Sequence, residues 1–146
     1  MSEITLGEIQ PQYCVNAKIR RIHRLLNTPY QEMIKPYGLR GSMLSILFMI
    51  AKTDVNQKAI ASQLVLDQST MSRDMVRLEK DGWIIRTRGL DARHTQLTLT
   101  NKGRTLLNEI APKWAKLHED MSAAIGAEQL KALDTIMNTL ENLHHA

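Results

Sequence analysis

A single cysteine, Cys14, in 146 residues leaves no partner for an intrachain disulfide. That economy fits a chain kept in a reducing cytoplasm. Aromatic residues make up only 4% of the chain, so aliphatic side chains and eight methionines must fill its core. Long apolar runs are missing too: the longest, over 43–51, is broken by Ser45 and falls well short of the ~20 residues a membrane-spanning helix needs. Residues 1–10 lack the basic-then-apolar pattern of a secretion signal. The histidines (His23, His94, His118, His144, His145) are scattered, without the paired spacing of metal ligands. Ser69, Ser72, Asp91 and His94 supply a hydroxyl, an acid and a base, but no nucleophile elbow or glycine-rich oxyanion loop accompanies them. These absences argue against a disulfide scaffold, a membrane span, a metal site, a bound cofactor and an enzyme.

What is present is a single domain's length of chain, 43% apolar, with a displaced charge. The net charge is +4 and the sequence pI is near 9.4, which is only mildly basic. Between Asn56 and Arg104, however, nine cations face five acids. That excess of four equals the net charge of the whole chain, so the remainder sums to zero. A polyanion would meet this one segment.

The ends of the chain carry helical periodicity. Val15, Ile19, Ile22 and Leu26 recur at the spacing of one helix face, with Arg20, Arg21 and Arg24 on the others. Pro29 either kinks this helix or starts a new one capped by Asn27 or Thr28. Tyr37-Gly38-Leu39 reads as a turn, and residues 43–52 as a short buried helix. At the far end Leu106, Ile110, Trp114, Leu117, Met121 and Ile125 form a second long stripe, which Pro112 is expected to bend. Gly126 separates it from a last helix striped by Leu130, Leu133, Met137 and Leu140. Stripes this long flanking a small central module predict packing on a second copy of the chain.

The middle is better signposted. Asn56 is a good N-cap, with Val55 and Ile60 placed for a hydrophobic staple. Asp67 caps the next helix, whose Met71, Met75 and Leu78 follow the i, i+4, i+7 rule. Its opposite face collects Ser69, Arg73, Val76, Arg77 and Lys80, and Gly82 ends it. Residues 83–88 and 95–100 are strand-like, joined by an arginine-bearing loop, and Thr100 or Asn101 caps the helix that follows. Two short helices, a hairpin and a third helix, in that order, are a winged helix-turn-helix, which lays one helix in the DNA major groove with a hairpin beside it.

The same residues resemble the MarR family of bacterial transcriptional regulators over nearly the whole chain. The resemblance is carried by Tyr37-Gly38-Leu39-Arg40, by Leu66-Asp67-Gln68-Ser69-Thr70-Met71-Ser72-Arg73, and by Leu78-Glu79-Lys80-Asp81-Gly82-Trp83-Ile84. Asp91-Ala92-Arg93 and Leu99-Thr100-Asn101-Lys102-Gly103 complete it. It implies a mostly α (α+β winged helix) fold: one domain over 1–146, with dimerisation helices at 10–36 and 102–145 and a DNA-binding lobe at 40–101. It also implies a homodimer on a pseudo-palindromic double-stranded operator, most often as a repressor. Ser69, Thr70, Ser72 and Arg73 fall where the family reads bases, with Gln68 beside them as a further DNA-binding residue, and Arg93, beside Asp91, where a wing arginine approaches the minor groove. Arg77, Lys80, Arg86 and Arg88 suit phosphates, which set affinity and salt dependence without reading sequence. This chain departs from the family at Val65, where glycine is common in the turn between the paired helices, and in a wing loop one residue shorter. A β-branched residue disfavours a left-handed turn.

Two modes of regulation follow from the resemblance. Many relatives bind small aromatic or phenolic acids between the dimer helices and the DNA-binding lobe. Here that predicts an effector lined by Tyr37, Arg40, Met43, Leu47 and Trp114, with Ile22 and Arg24 as further candidates. Some relatives sense oxidants through a lone cysteine near the first helix, which makes redox switching at Cys14 the alternative.

Overall fold

The computed structural model describes residues 3–87, 89 and 94–145. Six helices and one hairpin follow in order: α1 (Val15–Ile34), α2 (Met43–Lys52), α3 (Gln57–Gln63), α4 (Gln68–Lys80), β1 (Ile84–Thr87), β2 (Gln96–Leu99), α5 (Asn101–Ile125) and α6 (Ala127–His145). Short 3₁₀ turns lie at Leu6–Glu8, Pro11–Tyr13 and Lys35–Tyr37. Among the described residues, no helix is long and apolar enough to cross a membrane.

The expected caps form. The Asn56 side chain accepts from the Ala59 amide at 2.8 Å, and Thr100 accepts from that of Gly103 at 2.9 Å. α1 runs unbroken through Pro29, and α5 through Pro112. The carbonyl one turn before Thr28 is occupied, since the Thr28 hydroxyl donates to Arg24 O at 2.9 Å. No new helix begins there.

The core lies between α2, the helix pair α3–α4, the base of the hairpin and the first half of α5. Ile46, Leu47, Ile60, Met75, Leu78 and Ile110 are fully buried. On α4 the buried residues are Met71, Met75 and Leu78, the face the periodicity predicts. Burying an aliphatic or methionine side chain of this kind is worth about 1.5–3 kcal/mol. The hairpin is antiparallel, with Ile84 opposite Leu99 and Arg86 opposite Leu97. Gly103, in the first turn of α5, lets that helix lie against the hairpin base, because a Cβ there would collide with the Trp83 carbonyl oxygen.

Two helices end in the same device. After α4 the Trp83 amide donates to Leu78 O at 3.0 Å and that of Gly82 to Glu79 O at 3.1 Å, a Schellman motif around Gly82 at φ +79°. After α3 the Leu66 amide donates to Ala61 O at 2.9 Å and that of Val65 to Ser62 O at 3.2 Å. The left-handed residue is here Val65, at φ +52°, the one non-glycine residue with positive φ among those described. The turn therefore keeps the left-handed geometry that valine disfavours. Its neighbours Leu64 and Leu66 pack against the core and hold it there, while Val65 points into solvent at 81% exposure.

The outer helices are anchored at one end only. Ile34 is the single buried residue of α1, the buried residues of α5 stop at Ile110, and α6 has none. Val15, Ile19, Ile22 and Leu25 on α1, and Leu133, Ile136, Met137 and Leu140 on α6, are exposed.

Replacing Val65 by glycine removes a left-handed penalty of roughly 1–2 kcal/mol and adds unfolded-state entropy worth roughly half of that. Val65→Gly is expected to raise the unfolding free energy by about 1 kcal/mol, measured by urea denaturation of parent and variant at equal protein concentration.

Candidate DNA interface

With Met71, Met75 and Leu78 buried, the rotation of α4 is set, and Gln68, Ser69, Ser72, Arg73, Val76, Arg77 and Lys80 are exposed. Asp67 organises the head of this helix. Its Oδ1 accepts from the Thr70 amide at 2.8 Å and the Ser69 hydroxyl at 2.7 Å, while Oδ2 accepts from the Thr70 hydroxyl at 2.7 Å. The Thr70 amide foremost, then the two hydroxyls, and last the charge of Arg73 hold this carboxyl far below the usual aspartate range. Both hydroxyl protons are thus spent on Asp67, which leaves the oxygens of Ser69 and Thr70 as acceptors. Acceptors suit the major-groove amino groups of adenine and cytosine; an arginine fork such as Arg73 suits guanine O6 and N7. The fixed negative charge of Asp67 makes this helix N-terminus a poor seat for a phosphate.

Beside α4 lies a cleft of about 540 Å³ lined by Arg40, Ser72, Arg73, Val76, Arg77, Lys80 and Asp81. Arg77 is partly engaged, with Nε 3.8 Å from Asp81 Oδ2. Asp74 lies part-buried near Arg40 and Arg73; burial pushes its carboxyl up, and the two guanidinium charges pull against that shift.

Arg86 is the residue placed differently from expectation. Its Nε donates to Glu79 Oε2 at 3.3 Å and its Nη2 to Glu79 Oε1 at 3.4 Å, and its side chain is only 11% exposed. Strand alternation from buried Ile84 turns Arg86 to the inner face, where it ties the hairpin to α4 instead of reaching outward for a phosphate. Lys102 works nearby in the same sense: its Nζ donates to Asp81 O at 2.8 Å and sits 4.5 Å from the centre of the Trp83 ring. Arg88, Asp91 and Arg93, and with them the reach of the wing, lie outside the described residues.

Of the expected effector residues, Met43 and Leu47 belong to the core cluster, at 1% and 0% exposure, and Tyr37 and Trp114 pack against it. The Tyr37 hydroxyl donates to Glu109 Oε1 at 2.9 Å and accepts from Lys113 Nζ at 2.6 Å, bridging the turn before α2 to α5. Arg40 faces the α4 cleft instead, and Ile22 and Arg24 are exposed on α1. Trp114 lines a different cavity, about 190 Å³ in volume, with Asn27, Tyr30, Gln31, Ile34, Gly41, Leu44, Ser45 and Phe48. Phe48 meets Trp114 edge-on at 5.7 Å, and burial pushes the Tyr30 phenol up. The polar lining from α1 was missed because Asn27, Tyr30 and Gln31 follow the apolar stripe, beside a proline that reads as an interruption. Cys14 is exposed just ahead of α1.

Residues 42–95 match the model of the MarR family. The chain is also 31% identical over 116 residues to the HTH-type transcriptional regulator YwoH of Bacillus subtilis, an alignment covering 79% of this chain and 85% of that one. The chain belongs to the MarR family. It is a DNA-binding transcriptional regulator with the winged-helix fold of that family. Among solved structures it resembles the Mycobacterium tuberculosis regulator MosR in complex with DNA, with a TM-score of 0.76 at 23% identity, covering 91% of this chain and 99% of that one. Staphylococcus aureus MarR in complex with salicylate and kanamycin aligns with a TM-score of 0.67 at 21% identity, covering 87% of each chain. At such identities these two structures speak to the fold of this MarR-family chain.

A carboxyl held below its ordinary value stabilises the fold at every pH above that value, and the stabilisation is lost as pH falls through the lower, folded value. Asp67→Ala is therefore expected to lower the melting temperature at neutral pH. The gap to the parent should close in strong acid, below the ordinary aspartate pKa of about 4, as followed by circular dichroism melts across a pH series.

Proposed function

We propose that this regulator acts as a homodimeric repressor in the cytoplasm, binding a pseudo-palindromic operator and released from it by a small aromatic or phenolic effector. The observation that carries the reading is the outer face of α4, where Gln68, Ser69, Ser72 and Arg73 stand exposed on a helix whose inner face is locked into the core. In this reading Arg73 and the acceptors of Ser69 and Thr70 read bases. Arg77 and Lys80 hold phosphates, and Arg88 and Arg93 belong to the wing contacts.

Dimerisation rests on the exposed apolar stripes of α1 and α6 and on their charges. α1 carries Lys18, Arg20, Arg21 and Arg24 against Glu32, whereas α6 carries Glu128, Asp134 and Glu141 against Lys131. A basic and an acidic helix, each with an uncovered apolar face, complement one another across a two-fold axis. Two recognition helices so related call for half-sites about one helical turn apart, roughly 10 bp.

For the effector, the cavity at Trp114 supplies aromatic walls and uncharged polar groups, among them Asn27, Tyr30, Gln31 and Ser45. Salicylate, found in the S. aureus relative, is a phenol of suitable class. With no cation in its lining, the cavity favours the hydroxyl and ring of such a compound over its carboxylate. Thiol switching at Cys14 has only the exposure of the sulfur behind it and is not part of this reading.

Selection of sites from random duplex DNA is expected to yield a two-fold symmetric motif. Arg73→Ala should weaken that site by about 1–3 kcal/mol and relax one base position in each half-site; an asymmetric motif, or none, would refute the dimeric operator. In a thermal-shift panel, phenols are expected to raise the melting temperature of the parent. Ser45→Leu, which puts a bulky side chain into the cavity lining, should abolish the shift, and a flat response of the parent to the whole panel would rule the effector out.

A further inference from the structure

We infer that Arg40 is a phosphate-binding residue of the DNA interface, aimed at the duplex from outside the helix-turn-helix by the side chain of Gln31. The inference rests on the reading that α4 enters the major groove, and it adds a contact that neither the α4 pattern nor the wing supplies.

Arg40 stands in the turn between α1 and α2, yet its side chain lines the same cleft as Ser72, Arg73, Arg77 and Lys80 of α4. The cations around it are unequal. Arg77 lies near Asp81 and Arg86 is bound to Glu79, whereas among the described residues Arg40 has no salt bridge and is exposed. Its charge acts on Asp74, which sits part-buried and is shared with Arg73. An exposed, unpaired guanidinium at the flank of a major-groove helix fits the phosphodiester backbone, whose two free oxygens accept its forked donors. The effector reading of Arg40 has no such support, because Arg40 is not part of the lining shared by Trp114.

The turn that carries Arg40 is pinned. The Gly41 amide donates to Gln31 Oε1 at 2.7 Å and Gln31 Nε2 donates to Gly41 O at 3.2 Å, so one side-chain amide on α1 clasps both backbone groups of the residue next to Arg40. Gly41 has φ +55°, so this clasp holds the chain in a conformation that glycine accepts freely and other residues resist. Gln31 and Gly41 also form part of the wall of the 190 Å³ cavity. A ligand that takes the Gln31 amide for its own hydrogen bonds would free the turn, and with it the cation over the phosphate.

The test is the salt dependence of binding, read by fluorescence anisotropy on a labelled duplex carrying the selected site and on a scrambled duplex. Arg40→Gln is expected to weaken both duplexes alike, leave the selected motif unchanged, and reduce the slope of log K against log salt by about 2 for a dimer losing one contact per protomer, roughly 0.9 each. Arg40→Lys should restore most of the slope. Gln31→Ala should reproduce the reduced slope and add nothing to Arg40→Gln in the double variant, a result that general loosening of the fold would not give. Circular dichroism melts of each variant establish that it is folded. If the parent binds its site and Arg73→Ala weakens it while Arg40→Gln keeps the full slope, the Arg40 contact is refuted and the α4 reading stands. If Gln31→Ala keeps the slope that Arg40→Gln loses, the aiming role of Gln31 is refuted. If the parent has no preferred site, the α4 reading fails and this inference fails with it.

Discussion

The inner face of α4 is the contact on which the rest of the structure depends. Met71, Met75 and Leu78 are each buried to within about one per cent, against a core supplied by α2, α3 and the start of α5. Turning the helix by one residue would swing that face through about 100° and drive charged side chains into the core, so its rotation is determined to within a residue. The outer face is determined at the same stroke. Which side chains can approach DNA is therefore a consequence of which side chains cannot leave the core. The caps finish the work: Asp67 ties off the N-terminus, the Schellman turn at Gly82 closes the C-terminus, and the Glu79–Arg86 pair joins the hairpin to the helix.

The two Schellman turns make a useful contrast. Gly82 and Val65 have the same hydrogen-bond pattern and the same sign of φ, but only one is a residue that takes a left-handed conformation without strain. A sequence argument from β-branching points away from such a turn at Val65. The structure resolves the conflict in favour of packing, because Leu64 and Leu66 on either side bury apolar surface that another turn would release. A local penalty of about 1–2 kcal/mol is smaller than the burial of two leucines.

The outer helices make a different point. They have the periodicity of buried helices and yet much of their apolar stripe is exposed, because a single chain has nothing to lay over it. Under the dimeric reading proposed above, burial of these stripes depends on protomer concentration. In the reading proposed here, α1, one of the helices that set the distance between two α4 helices, also walls the cavity at Trp114. A ligand there would act on spacing and on the turn before α2 together.

Much was legible in the residues themselves. The order of elements, the caps at Asn56, Asp67 and Thr100, the stop at Gly82 and the buried face of α4 all follow from local rules: a short polar side chain before an apolar repeat, a glycine after it, and a period of 3.6. Those rules act over a few residues, so the sequence by itself determines what they govern. Arg86, Arg40 and the cavity were decided elsewhere. Arg86 is basic and on a wing strand, and only its pairing with Glu79 on α4 shows that it faces inward. Arg40 is adjacent in sequence to a helix of the core but adjacent in space to the recognition helix, 33 residues later at Arg73. The cavity needs α1, α2 and α5 brought together, and no pattern within one helix reports that. The sequence determined the faces, because periodicity and capping are local. The tertiary structure alone decided which charges were neutralised and which were left free, because that depends on neighbours distant along the chain.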